Sequence, residues 1–121
     1  PETMAEFGEY AFYGCSALEE MQIPAGVTRI GSYAFDTTEN MLLFSVDENN
    51  PAYQSPDGVL YDKSGERLIK YPEAKADTSY EVLDTCRAVE DWAFIGAQYL
   101  EEVDLKQVQE IGADGSAGAF R

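Results

Sequence analysis

The sequence has no histidine at all. Its absence removes Ser–His and Cys–His nucleophile pairs and histidine-based metal sites. Positive charge is also scarce: 8 Lys and Arg stand against 23 Asp and Glu, for a formal net charge of −15. A balance that acidic argues against nucleic acid or an anionic membrane as partner, and most of the charge reads as a solvated surface. No apolar run approaches the length of a membrane-spanning helix, so no membrane insertion is expected. No glycine-rich phosphate loop is present. The opening residues do not read as a signal peptide, and Pro1 in place of an initiating Met makes a processed or excised piece the expectation. Two cysteines, Cys15 and Cys86, cannot fix a redox compartment. What is present is a chain of 121 residues, 45% hydrophobic, which suffices for one domain over 1–121 with a core of its own.

That domain is built of repeats. Phe7-Gly8-Glu9-Tyr10-Ala11-Phe12 recurs as Ile30-Gly31-Ser32-Tyr33-Ala34-Phe35 and again as Val89-Glu90-Asp91-Trp92-Ala93-Phe94. Seven residues after each Ala an apolar series begins: Leu18, Met21, Ile23; Met41, Phe44, Val46; Leu100, Val103, Leu105. Tyr80-Glu81-Val82 supplies the missing member, so the strand anchors Ile23, Val46, Val82 and Leu105 are spaced 23, 36 and 23 residues apart. One coil is therefore 13 residues longer than its neighbours.

A single coil of this kind cannot bury its apolar side, whereas stacked coils bury it against each other. The spacing predicts one parallel sheet with Ile23 beside Val46, Val46 beside Val82 and Val82 beside Leu105, all buried. On the return side the expected ladders are Phe7, Ile30, Val89, Ile111 and Phe12, Phe35, Phe94, with Gly8, Gly31 and Gly112 at a turn of positive φ. Cys15 and Cys86 then fall on opposite sides of a coil and read as two separate, mostly buried thiols.

The repeated segments resemble the BspA-type leucine-rich repeat. The likeness rests on Ile30-Gly31, Tyr33-Ala34-Phe35, Cys15, Leu18 and Ile23-Pro24-Ala25-Gly26-Val27, and on Asn50-Pro51-Ala52-Tyr53, Asp57-Gly58-Val59-Leu60-Tyr61 and Leu68-Ile69-Lys70-Tyr71-Pro72 in the long coil. It covers nearly the whole chain. The resemblance implies a leucine-rich-repeat solenoid, a right-handed β/α superhelix. Such a solenoid has a short parallel sheet on one face and turns and short helical segments on the other. It also implies a bacterial cell-surface or secreted protein that binds host or matrix components. The sequence departs from the pattern where Thr38 and Ala97 replace the cysteine, and where the copy from Ile111 lacks its Ala-Phe pair until Ala119-Phe120. With no capping helix at either end, the coils are expected to belong to a longer array or to associate end to end.

Within the long coil, Val59-Leu60-Tyr61 and Arg67-Leu68-Ile69-Lys70-Tyr71 flank Asp62-Lys63-Ser64-Gly65-Glu66, which reads as a hairpin inserted over about 56–72. It is either a flap over the edge of the enlarged coil or a projecting contact element using Tyr61, Lys63, Arg67 and Lys70. Asp47-Glu48-Asn49-Asn50 with Asp57-Gly58 offers either a calcium loop or a plain Asn/Pro turn, and it fails EF-hand spacing. Carboxylate pairs such as Glu19-Glu20 and Glu101-Glu102 lie along a surface rather than in a cleft, so no catalytic residue, cofactor or enzyme activity is expected. The outward positions of the strands are Glu20, Gln22, Ser45, Glu81, Glu102 and Asp104, an acidic face suited to an extracellular protein or glycan of basic character. The competing reading is a spacer within a longer array.

Overall fold

A computed structural model describes residues 6–8, 12, 14–15, 17–31, 35, 38–90, 93–94 and 96–111. Alternation of apolar and polar residues sets the first strand pair. β1 (Glu6–Phe7) precedes β2 (Glu20–Ile23), which buries Met21 and Ile23 and exposes Glu20 and Gln22. A period of two is what a strand with one face on a core requires. After β3 (Arg29–Ile30), β4 (Leu43–Val46) runs parallel to β2 in the expected register, Met21 facing Phe44 and Ile23 facing Val46. The arrangement recurs at the other end of the stack. There β8 (Ser79–Glu81) and β10 (Glu102–Asp104) are parallel, with Tyr80 beside Val103. Val82 continues that line, its N–H donating to Asp104 O at 3.1 Å. Ile23 and Val82 are buried, while Val46 and Leu105 are only partly so.

The one continuous sheet expected through all four anchors does not form. β2–β4 and β8–β10 are separate two-stranded sheets, and Val46 does not pair beside Val82. The cause is the path of the long coil. Beyond β4 the chain makes β5 (Tyr53–Gln54) and then passes beside β4 as Ser55 and a 3-10 turn, Pro56–Gly58. Ser55 Oγ accepts the Val46 N–H at 2.9 Å. A Cβ on Gly58 would stand 2.9 Å from Leu43 Cβ, and its φ of +79° also favours glycine. This segment takes the edge of β4 that the next strand would need.

On the return side, β1 pairs with β3 and β9 (Ala88–Val89) with β11 (Glu110–Ile111), so Phe7 faces Ile30 and Val89 faces Ile111. Ile30 and Val89, however, are not neighbours. β6 (Leu60–Asp62) and β7 (Arg67–Lys70) form an antiparallel hairpin, β5 adds to β6, and β7 lies parallel to β9. The result is a five-stranded sheet in the order β11-β9-β7-β6-β5. The hairpin is no projection, because Leu60, Tyr61 and Leu68 are fully buried; it covers the free edge of β9 by pairing with it. Among the described residues the 3-10 turn is the only helical segment, and most of the Tyr-Ala-Phe turns, where short helices are expected, lies outside those residues.

The core has two clusters. Met21, Ile23, Val27, Phe35, Met41, Phe44 and Leu60 form one. Val59, Tyr61, Leu68, Tyr71, Tyr80, Val82, Cys86, Val89, Ala93 and Phe94 form the other. Phe12 stacks on Phe35 with centroids 5.5 Å apart, and Tyr71, not Phe35, stands against Phe94 at 5.4 Å. Both cysteines are free thiols, Cys86 buried and Cys15 half-buried. Gly8 lacks the positive φ expected of it. That conformation falls instead on Gly14 and Gly96, two residues after Phe12 and Phe94. Gly112 and the altered final copy lie outside the described residues.

Where the long coil breaks the ladders, side chains stand in for main-chain acceptors. Tyr53 Oη accepts the Ile30 N–H at 3.0 Å, Glu73 Oε2 accepts the Thr38 N–H at 3.1 Å, and Tyr61 Oη accepts the Leu83 N–H at 3.2 Å. Tyr61 and Tyr80 hydroxyls lie 2.6 Å apart inside the core. Burial pushes the Tyr53, Tyr61, Tyr71 and Tyr80 hydroxyls above the ordinary tyrosine value, because the phenolate would be desolvated.

Two outcomes follow from this packing. Phe35, 3% exposed and 5.0 Å from the Phe44 ring, should cost about 3–5 kcal/mol on truncation to Ala, a large share of a small domain's stability. An unchanged melting temperature would show that the Ala-Phe turn is not core. Buried Tyr61, Tyr71 and Tyr80 and half-buried Tyr53 contribute stability that is complete below the unfolded value of about 10 and is lost as pH rises past it. Tyrosinate absorbance and near-ultraviolet dichroism should therefore show those four of the eight tyrosines ionising only as the fold is lost. Their ionisation at ordinary pH in the folded chain would contradict the packing.

Candidate binding face

The outward residues of the two sheets are aimed by their inward neighbours. Glu20 and Gln22 alternate with Met21 and Ile23, Ser45 follows Phe44, and Glu81 follows Tyr80. The register sets Gln22 beside Ser45, Ser79 beside Glu102 and Glu81 beside Asp104. Glu20, Gln22, Glu81, Glu102 and Asp104 are exposed, and Ser45 is half-buried. The break in the sheet divides these six residues into two groups, Glu20, Gln22 and Ser45 on one side and Glu81, Glu102 and Asp104 on the other. Gln22 Nε2 donates to Glu20 Oε2 at 2.9 Å, and Leu43, 38% exposed, adds an apolar spot beside Glu20.

The second group carries its own counter-charge. Lys106 Nζ lies 2.8 Å from Asp84 Oδ1 and 3.9 Å from Glu81 Oε1. The hydrogen bond with Asp84 holds the Lys106 ammonium above its usual pKa and holds the Asp84 carboxyl below the usual carboxylate range. All of these groups lie at the surface, where such a pair adds little stability. The face is thus acidic but not uniformly so.

The alternative hairpin set does not assemble. Tyr61 is fully buried against Tyr80, and Lys70 is 3% exposed with Nζ 3.2 Å from Glu73 Oε2. Those two side chains are packing groups: Lys70 shares the inward face of β7 with Leu68, and β6 is buried on both faces, Leu60 in one core cluster and Tyr61 in the other. Lys63 and Arg67 remain exposed. Lys63 donates to Glu48 O at 3.2 Å, and Arg67 pairs with Glu90.

The Asp47–Asn50 stretch is a turn. Asn50 is fully buried, and its Nδ2 donates to Pro24 O and Val27 O, both at 2.8 Å. Its Oδ1 accepts the N–H groups of Ala52 and Tyr53 at 2.7 and 2.9 Å. Both polar atoms of the side chain are used, Nδ2 to tie this coil to the one before and Oδ1 to close the local turn. Among the described residues no three His, Cys, Asp or Glu side chains gather as a metal site, and no helix is long and apolar enough to cross a membrane.

Reading the sequence did not identify Tyr53, Ser55, Tyr61 and Glu73 as acceptors for main-chain amides. The available signal was the 13-residue excess of one coil, which guarantees that some ladder partners are displaced.

The likeness to known proteins agrees with this architecture. The family described as BspA type Leucine rich repeat region (6 copies) matches residues 1–55. A leucine-rich repeat protein from Eubacterium ventriosum ATCC 27560 is 30% identical with a TM-score of 0.88, over 93% of this chain and 30% of that one. A leucine rich cell surface protein from Faecalibacterium prausnitzii A2-165 is 33% identical with a TM-score of 0.85, over 99% of this chain and 31% of that one. The pneumococcal vaccine antigen PcpA is 32% identical with a TM-score of 0.77, over 84% of this chain and 25% of that one. The chain spans less than a third of the length of each of these structures. No curated relative matches it. With its repeats in the register of β2–β4 and β8–β10, the chain carries the BspA-type leucine-rich repeat over residues 1–55 and has the fold of bacterial leucine-rich-repeat proteins.

Proposed function

We propose that the chain is a noncatalytic binding module of a bacterial cell-surface or secreted protein, taking a basic extracellular protein or glycan on its acidic strand face. The observation that supports this reading is the exposed set Glu20, Gln22, Glu81, Glu102 and Asp104, held on strands whose opposite faces are buried in β2 and β8 and half-buried in β10. The strand backbone that carries them is already ordered, so the ordering cost of binding falls on the side chains alone. The surface location rests on the likeness to the Faecalibacterium prausnitzii cell surface protein. One module of this size binds weakly, and a longer array gains by multivalency. A spacer without a ligand is the second reading, supported by the fraction of each solved relative, 25–31%, that the chain spans.

Exposed charges are screened beyond about 8 Å at physiological salt, so they act on association rate and salt dependence more than on final affinity. Matrix proteins, mucins and glycans are to be screened against the immobilised chain at low and high salt. Charge reversal at Glu102 and Asp104 should remove salt-sensitive binding, while substitutions at Lys63 and Arg67 leave it intact. The opposite pattern would move the site to the hairpin. Failure of every ligand class to bind a multimerised form would leave the spacer reading.

A further inference from the structure

We propose that the break between the two sheets is a docking groove for an extended partner peptide with alternating apolar and basic side chains, added as a strand along β8. The proposal rests on the reading above that the strand side is the ligand side, and it places the contact in one groove of that side.

The main chain of β8 makes the argument. On one edge, Thr78 O accepts the Glu102 N–H at 3.2 Å and Val82 N–H donates to Asp104 O at 3.1 Å. In a parallel ladder, alternate residues turn their N–H and C=O groups to opposite neighbours. Ser79 and Glu81 therefore turn theirs away from β10. Leu83, the next residue in that series, donates its N–H to Tyr61 Oη on the side away from β10. Among the described residues β8 pairs only with β10, and no hydrogen bond reaches the Ser79 or Glu81 main chain from the other side. The Pro56–Gly58 turn does not fill the place, because it leans on β4 through Ser55 and Gly58.

Between that turn and β8 lies an open groove of about 370 Å³, with Pro56, Tyr80 and Leu83 among its apolar lining and Asp57, Asp77 and Glu81 among its polar lining. An unpaired edge beside a groove is the geometry of strand addition, where main-chain hydrogen bonds give affinity and alternate side chains give specificity. A peptide strand bonded to Ser79 and Glu81 would turn every second side chain toward the apolar lining and the others toward the carboxylates. Charge selects the occupant. Lys75 lies 3.2 Å from Asp57 and 2.6 Å from Asp77, and Lys106 reaches Glu81 and Asp84. The groove's three carboxylates thus face two ammonium groups, one of them shared with Asp84 outside it, an excess of negative charge that favours a basic strand. The same excess, on a chain of net charge −15, disfavours a second copy of this chain.

The test is a nuclear magnetic resonance titration of the whole isotope-labelled chain with a short peptide alternating valine and lysine. A peptide of equal composition broken by a central proline serves as the control. The alternating peptide should slow amide exchange at Ser79 and Glu81 by about tenfold or more, and the proline-broken peptide should not bind. Asp57→Asn with Asp77→Asn, whose side chains are exposed, should weaken binding by about tenfold at low salt while the melting temperature reads any cost of leaving Lys75 unpaired. No binding, equal binding of the broken peptide, or binding that leaves the Ser79 and Glu81 amides unchanged would overturn the groove. If the peptide instead perturbs Glu102 and Asp104 and is lost on their charge reversal, the groove fails while the strand-face reading stands. If the groove fills while that reversal affects no ligand, the groove stands and the broader face fails.

Discussion

A main-chain N–H enclosed in a stack of coils needs an acceptor from the next coil, and one coil here is too long to supply it in register. The rest of the structure follows from how that demand is met. Where units are 23 residues apart, strand meets strand and no substitute is needed, as in β2–β4 and β8–β10. Across the 36-residue unit, the acceptors are Tyr53 Oη, Ser55 Oγ, Tyr61 Oη and a Glu73 carboxylate oxygen. A buried amide left without a partner costs about 1–3 kcal/mol, so a few such substitutions decide whether a long coil can be spliced into the array.

Glu73 shows what this solution demands. Its side chain is 5% exposed, lies 3.2 Å from Lys70 Nζ and also accepts the Thr38 N–H. An ion pair so enclosed is stable only when its remaining hydrogen bonds are filled, and here a main-chain amide fills one. Gly96 gives way to the same group, since a Cβ there would stand 2.4 Å from Glu73 Oε1. The neighbouring main chain is tied in as well, with Gln98 N–H donating to Glu73 O at 3.1 Å. A charged pair, a glycine and a displaced coil are thus one arrangement, and through it the second core cluster is anchored to the Thr38 turn of the first.

Much of the fold was legible because ladder positions are local in sequence. Met21 and Phe44, Ile23 and Val46, Tyr80 and Val103 repeat at fixed offsets, and the register follows from counting. The long coil was legible only as an excess of residues. Its path depends on contacts that no local pattern encodes, such as Gly58 seating on Leu43 and the hairpin pairing with β9. Tyr61 and Lys70 looked like surface groups because a hairpin rich in Tyr and Lys usually is one, yet the sheet it joins turns both inward. The outward acidic residues could be read from alternation, but their separation into two groups could not, because it is a consequence of the break. Asn50 was within reach, since an Asn followed by Pro marks a turn. That it ties two coils together required the positions of Pro24 and Val27.

Amide hydrogen exchange, read residue by residue on the ligand-free chain, tests this account most directly. If side chains replace the missing ladder, the Ile30, Thr38, Val46 and Leu83 amides should exchange slowly although no main-chain acceptor bonds them, and Ser79 and Glu81 should exchange fast beside a protected Tyr80. Fast exchange at those four amides, or protection of Ser79 and Glu81 equal to that of Tyr80, would show that the long coil is accommodated in another way.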